Sequence, residues 1–304
     1  MPFERVLGQA RAGRILAGFL SSGRIPSALL FCGPQGVGKA LMAREFAKAL
    51  LCRLPTGAAG PCDACQDCRA VDKGNHPDLK AVNASYQASL REEEEARQKT
   101  LRVDTIRHLR RDMELESLLG GWKVAVLEEA QTLESEAANA LLKILEEPPP
   151  KTLWILASPQ KERLPRTVLS RCFPVAFAPL GETAIKELLI KNGIEPGKAF
   201  GLARLSEGSL GRALELARRE APRPLSALSA AESLPRELAL ARSEVEFALF
   251  ALAQDLRMRF LKEGDARVER PLREILRLRG ALRANADPKT VLTLACLEAE
   301  SLAR

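Results

Sequence analysis

The apolar run Ser27-Ala28-Leu29-Leu30-Phe31-Cys32 ends on Gly33-Pro34-Gln35-Gly36-Val37-Gly38-Lys39-Ala40, and this junction limits the possible folds more than any other stretch. It matches the G-x-x-x-x-G-K core of a phosphate-binding loop, in the required place between a buried strand and a helix. The glycines let backbone N–H groups curl around phosphate. The helix N-terminus adds a favourable dipole, and the lysine reaches the terminal phosphates. Gly33, Gly36, Gly38, Lys39 and Ala40 are therefore candidate nucleotide-binding residues, with a helix expected from Gly38 to Leu51.

Ala40 departs from the pattern. A working loop places a Ser or Thr hydroxyl on magnesium at this position, and alanine has no oxygen to give. Water could fill the vacancy, so nucleotide binding is weakened, not abolished. A second strand end, Leu127-Glu128-Glu129-Ala130, stands where P-loop ATPases carry an Asp for magnesium and then a Glu that orients water. Glu128 is one methylene longer than that Asp; Glu129 could still polarise water. With both magnesium-handling positions altered, weak ATP or ADP binding, poor Mg²⁺ retention and no hydrolysis are expected. The plain alternative is that Glu128 and Glu129 only lead from a strand into a helix.

Further apolar runs at Lys123–Leu127 and Leu153–Ala157 read as buried strands flanking a helix from Ser135 to Leu145, which Pro148-Pro149-Pro150 stops. Strands alternating with helices imply an α/β domain, a parallel sheet covered on both faces. Near the N-terminus, Leu7, Ala10, Ile15 and Phe19 give Arg5 to Leu20 an amphipathic helical spacing. The polar stretch from Asn83 to Thr100, with Glu92-Glu93-Glu94-Glu95, reads as a solvated loop or a loosely held helix. After Pro179 the pattern is helical only. Glu182–Lys191 and Ser209–Arg218 bracket a small unit, and a Pro-, Ser- and Ala-rich linker runs from Ala221 to about Pro235. Beyond it, Val245, Leu249, Leu252, Leu256 and Phe260 mark a further helical core. The expected domains are 1–178, α/β with an insertion at 52–74; 179–220, small and helical; and 221–304, linker plus helices.

No stretch of about 18 apolar residues exists to span a bilayer, and no basic start with an apolar run and a cleavage site opens the chain. A reducing cytoplasm is expected. There, four of the seven cysteines, Cys52, Cys62, Cys65 and Cys68, point to metal and away from disulfides. Four thiolates suit a closed structural Zn²⁺ site. An iron–sulfur cluster is the rival, although its ferredoxin run wants the fourth cysteine downstream and followed by proline, and unligated thiols remain a third reading. Cys32, Cys172 and Cys296 read as packing residues, and His76 as a capping residue. The formal net charge of +7 is compatible with working near nucleic acid.

Taken together these residues resemble a known family. Val6-Leu7-Gly8-Gln9, the phosphate loop, the four cysteines and Gly74-Asn75-His76-Pro77-Asp78 are its first carriers. Glu136-Ala137-Ala138-Asn139-Ala140-Leu141-Leu142-Lys143, Leu145-Glu146-Glu147-Pro148-Pro149 and Ser170-Arg171-Cys172 complete the pattern. Over Pro2 to Arg218 the chain resembles the AAA+ subunits of the bacterial DNA polymerase III clamp loader, on its delta-prime branch. The resemblance implies that the small helical segment is a lid and the C-terminal helices an oligomerisation collar. It also implies that Arg171 is a finger delivered in trans to a neighbour's ATP site, where a guanidinium neutralises charge on the transferring phosphoryl. The implied partners are gamma/tau and delta subunits, the sliding clamp and primer–template DNA, met through backbone phosphates.

The gamma/tau branch would carry Thr where Ala40 stands, Asp where Glu128 stands, and an Arg directly after Gly208-Ser209-Leu210. Here Gly211 follows and Arg212 is one residue late, about 100° around a helix. An ATP-hydrolysing gamma/tau-type subunit is the first alternative function. A zinc-stapled P-loop regulator binding DNA by sequence is the second.

Overall fold

The apolar runs become strands of one parallel sheet in the computed structural model, which describes residues 3, 5–54, 60–91, 94, 98, 100–218, 242–284 and 286–301. Strands β1 (Ala28–Cys32), β2 (Leu79–Val82), β3 (Lys123–Leu127), β4 (Thr152–Ser158) and β5 (Phe173–Ala176) lie in the order β2-β3-β4-β1-β5. All pairings are parallel; Ala28 lies opposite Trp154, and Leu29 opposite Phe173. Successive side chains alternate faces, so the central strands feed two cores at once. Leu29, Phe31, Val124, Val126, Leu153 and Ile155 pack with Leu16 of α1 (Ala10–Ser22), Met42 and Phe46 of α2 (Lys39–Leu51) and Val71 of α3 (Gln66–Asp72). Leu30, Ala125, Leu127, Trp154 and Leu156 pack on the other face. There they meet Ile106, Leu109 and Met113 of α5 (Val103–Glu114), Leu141 and Ile144 of α6 (Ser135–Glu146) and Val168 of α7 (Arg166–Leu169). Cys172 joins this second core, and burial pushes its thiol up to about 12. Cys32 packs against the same core and Cys296 against the C-terminal one.

Three expectations need correction. The first helix begins at Ala10, not Arg5, because Gly8 takes φ +75° and a Cβ there would collide with Leu180. That left-handed turn ends any helix running through it. The stretch after Asn83 is better held than a solvated loop: α4 (Ala84–Arg91) buries Gln87 completely. Its amide makes four hydrogen bonds. Nε2 donates to Thr100 O and Gln98 Oε1, and Oε1 accepts from Arg102 N and Thr105 Oγ1. Of the four glutamates expected in this stretch only Glu94 is among the described residues. Phe260 is 38% exposed, although Val245, Leu249 and Leu256 of the same helix are buried. Its helix, Arg242–Glu263, has 22 residues against 15 and 14 in its partners Glu269–Arg283 and Pro288–Ser301.

The chain forms two compact units, Met1–Gly193 with Glu207–Arg212, and Ile194–Ser206 with Ala213–Arg304. Segment 179–220 contributes to both, through α8 (Glu182–Lys191), α9 (Pro196–Leu205) and α10 (Leu210–Arg218). The expected linker, 221–235, lies outside the described residues. The second unit's core is aliphatic, built from Val245, Leu249, Ile275, Leu278, Leu292 and Ala295 among others. Among the described residues, no helix is long and apolar enough to cross a membrane.

Candidate functional site

The phosphate loop has the expected backbone. Gly33, Gly36 and Gly38 all take positive φ, at 151°, 73° and 100°, and α2 starts at Lys39. The lysine, however, serves its own loop. Lys39 Nζ donates to Gly33 O and Pro34 O, each at 2.6 Å, and only 8% of the residue is exposed. Burial lowers its pKa to about 8, against the opposing pull of Cys32 and Glu129. The start of α10 and the residue before it close on the same loop. Gly211 N donates to Gly36 O at 3.2 Å, and a Cβ on Gly36 would lie 2.3 Å from Ser209 Oγ.

Both acidic residues are engaged as well. Glu129, itself at φ 52°, accepts from Gln35 Nε2 at 3.2 Å, and Glu128 accepts from Asn83 Nδ2 at 3.3 Å. They border a cavity of about 270 Å³ with Gln98, Thr100 and Thr132, to which no loop residue contributes. Arg212 pairs with Glu207 at 2.9 Å.

The four cysteines converge. Their sulfurs all lie within 4.8 Å of one another, with Cys52–Cys65 and Cys62–Cys68 both at 3.9 Å. Four sulfurs bound at about 2.3 Å around a tetrahedral centre sit about 3.8 Å apart, so the donor set fits a metal of that kind. Backbone N–H groups point at the sulfurs: Cys62 N at Cys52, Cys65 N at Cys62, Cys68 N at Cys65. Such donors favour the thiolate. Bonds from Ala64 and Cys65 hold Cys62 down at about 6, while burial pushes Cys52 and Cys68 up.

Charged residues tie this knuckle to α2. Lys48 of α2 has a side chain 0% exposed and contacts Asp63 at 2.6 Å, Asp72 at 3.1 Å and Glu45 at 3.1 Å. Burial pulls its pKa down, but hydrogen bonds to Asp63, Asp72 and Glu45 outweigh that, and the shift is upward. Arg53 grips Asp67 through two bonds, 2.7 and 3.0 Å, and lowers that carboxyl's pKa. His76 caps a turn as expected, its Nδ1 accepting from Asp78 N at 3.1 Å. Asp78 in turn accepts from Ser117 Oγ, Leu118 N and Leu119 N. Sequence reasoning missed Lys48, Asp78 and Gln87; only the Asn-His-Pro-Asp stretch hinted at one of them.

Replacing Lys48 by methionine leaves Glu45, Asp63 and Asp72 to the half-exposed Arg5, 3.5–4.0 Å from them. A broken buried ion pair costs about 3–5 kcal/mol. With Asp63 46% and Asp72 34% exposed, about 2 kcal/mol is expected here, read as a lower midpoint in urea. An unchanged midpoint would show that the network carries no stability.

Arg171 follows α7 at the surface. Its Nη2 lies 2.7 Å from Glu146 Oε1, and Nη1 donates to Thr167 O at 2.9 Å.

Comparison with known proteins now decides the family. The family model described as DNA polymerase III, delta subunit, matches residues 8–181. This chain belongs to the DNA polymerase III clamp-loader family. Among its relatives, DNA polymerase III subunit tau of Escherichia coli (strain K12) is 37% identical over 221 residues, 70% of this chain and 32% of tau. Subunit delta' of Bacillus subtilis (strain 168) is 32% identical over 212 residues, covering 70% of this chain and 60% of the relative. Subunit delta' of Pseudomonas aeruginosa is 41% identical over 184 residues, 60% of this chain and 53% of the relative. The matches thus span between a third and three-fifths of these clamp-loader relatives.

Proposed function

We propose that this chain is a delta-prime-type clamp-loader subunit that does not hydrolyse ATP and supplies Arg171 in trans to the ATP site of a neighbouring gamma/tau-type subunit. One observation carries the reading: Lys39 is hydrogen-bonded to Gly33 O and Pro34 O of its own loop. A lysine that spends two of its three donors on its own loop is poorly disposed toward phosphate, Ala40 has no oxygen for magnesium, and Glu128 stands where an Asp is usual. Any nucleotide held at Gly33, Gly36, Gly38 and Lys39 would be bound weakly.

Cys52, Cys62, Cys65 and Cys68 would hold a structural Zn²⁺. Bound there, the ion supplies cross-linking without an open coordination position. The proposed assembly partners are gamma/tau and delta subunits and the sliding clamp, with primer–template DNA met through its phosphates, in the cytoplasm. The proposed layout remains an α/β domain at 1–178, a lid at 179–220 and a collar within 221–304.

ATP turnover by the assembly of this chain with gamma/tau, delta, clamp and primed DNA separates this reading from a gamma/tau-type motor. Lys39→Ala is expected to leave turnover unchanged, because the lysine does no phosphate chemistry. If Lys39→Ala removes a share of turnover, or the isolated chain hydrolyses ATP, this is an active motor subunit and the proposal fails.

A further inference from the structure

Two sequence motifs with no evident connection meet in space. Glu146, from Leu145-Glu146-Glu147-Pro148-Pro149, closes α6, and Arg171, from Ser170-Arg171-Cys172, follows α7. Their side chains form an ion pair, Nη2 to Oε1 at 2.7 Å, with Arg171 35% and Glu146 50% exposed. Nη1 donates to Thr167 O at 2.9 Å and lies 3.4 Å from Ser170 Oγ. The guanidinium is thus held between two helix C-terminal ends, by a carboxylate on one and, on the other, by the Thr167 carbonyl, which also accepts from Ser170 Oγ at 3.1 Å. Among the described residues Nε meets no acceptor.

A carboxylate at a helix C-terminus is a poor choice for the helix itself. The last carbonyls make that end negative, so an anion there is repelled and a cation preferred. Glu146 is the last residue of α6, with Glu147 as its cap. Nor is the pair a strong staple, since both groups face water and exposed pairs contribute little. Helix stability does not explain Glu146; its contact with Arg171 does. An arginine arriving with a loose side chain must be ordered as the transition state forms, whereas one already held at both terminal nitrogens need not be.

We propose that Glu146 is a positioning residue for Arg171: it fixes the guanidinium, together with Thr167 O, so that the finger reaches the neighbouring ATP site already oriented. This rests on the reading of Arg171 as a trans-acting finger. Glu146 touches no phosphate and binds no nucleotide. It acts on the rate of the neighbour's chemical step and leaves the neighbour's affinity for ATP alone.

The test uses the whole assembly with primed DNA, comparing Glu146→Ala, Glu146→Gln, Arg171→Ala and the Glu146→Ala/Arg171→Ala double variant by single-turnover ATP hydrolysis. Glu146→Ala is expected to slow the step at the served site roughly three- to tenfold with KM for ATP unchanged. Glu146→Gln keeps an acceptor oxygen without the charge and is expected to fall between. The double variant is expected to be no slower than Arg171→Ala alone, as befits a residue acting only through the other. Melting of Glu146→Ala is expected to be no lower than the parent's, since an anion leaves a helix C-terminus. A merely structural residue would lower melting and add its effect to that of Arg171→Ala. If Arg171→Ala slows turnover but Glu146→Ala does not, or accelerates it, the positioning role is overturned while the finger stands. If Arg171→Ala itself has no effect, the finger reading falls and takes this inference with it.

Discussion

Cys68→Ser protein is expected to purify without bound metal and to melt well below the parent. Cys68 is fully buried, at the start of the helix whose Val71 enters the main core, so loosening the knuckle loosens more than a surface loop. Structural zinc contributes about 10–16 kcal/mol in peptides that fold only around it. Here the sheet has its own core and only the knuckle depends on the ion, so a loss of about 3–4 kcal/mol is the reasonable scale. In a domain of roughly 200 residues that corresponds to about 6–16 °C. Metal content by mass spectrometry and a circular-dichroism melt read both effects, and a strong chelator on the parent should reproduce them. The metal also identifies itself. Zinc is d¹⁰ and colourless, whereas an iron–sulfur cluster would colour the protein. Acid should favour release, because all four sulfurs must be thiolates to bind and burial makes Cys52 and Cys68 reluctant ones. Parent protein that purifies without metal and melts identically with chelator would leave the thiols unligated and sink the zinc reading.

The sequence is legible where one residue type has one reason to be in place. β1, β3, β4 and α6 appear within a residue or two of the expected ranges, the strands because one buried on both faces is apolar over most of its length. The cysteine spacing is legible for a similar reason: four soft ligands in 17 positions have few other uses. β2 and β5 are not, being four-residue edge strands, one with Lys80 in it and the other with Pro174. α5 hides Ile106, Leu109 and Met113 among five arginine, histidine and aspartate neighbours, although their three- and four-residue spacing was there to be read. Charge pairing is the hardest to see. Lys48 with Asp72, and Glu146 with Arg171, lie 24 and 25 positions apart, and nothing in a single chain says which of its many charges meet. The closed phosphate loop sits between these cases. Ala40 announces altered magnesium chemistry, but only folding brings Gly211 onto Gly36.

Arg171→Ala is expected to give the largest functional effect, and to give it without disturbing the fold. The side chain is part-exposed and its pair with Glu146 is of the weak surface kind, so stability should change by less than about 1 kcal/mol. A guanidinium delivered to a transferring phosphoryl, by contrast, accelerates the step about 10³–10⁵-fold. The two scales differ so widely that one variant separates them: equal melting and assembly with a lost catalytic phase means chemistry, and a joint loss means structure. The decisive reading is the burst of ATP hydrolysis in the assembly with clamp and primed DNA. On the proposal that each copy of this chain serves one neighbouring site, the burst should shrink by one equivalent of ATP per copy, with that site hydrolysing about 10³-fold more slowly. Arg171→Lys should recover little, because an ammonium is a point charge without the planar fork that spans two phosphate oxygens. A burst of undiminished amplitude in Arg171→Ala would make Arg171 a surface salt-bridge partner of Glu146 and nothing more.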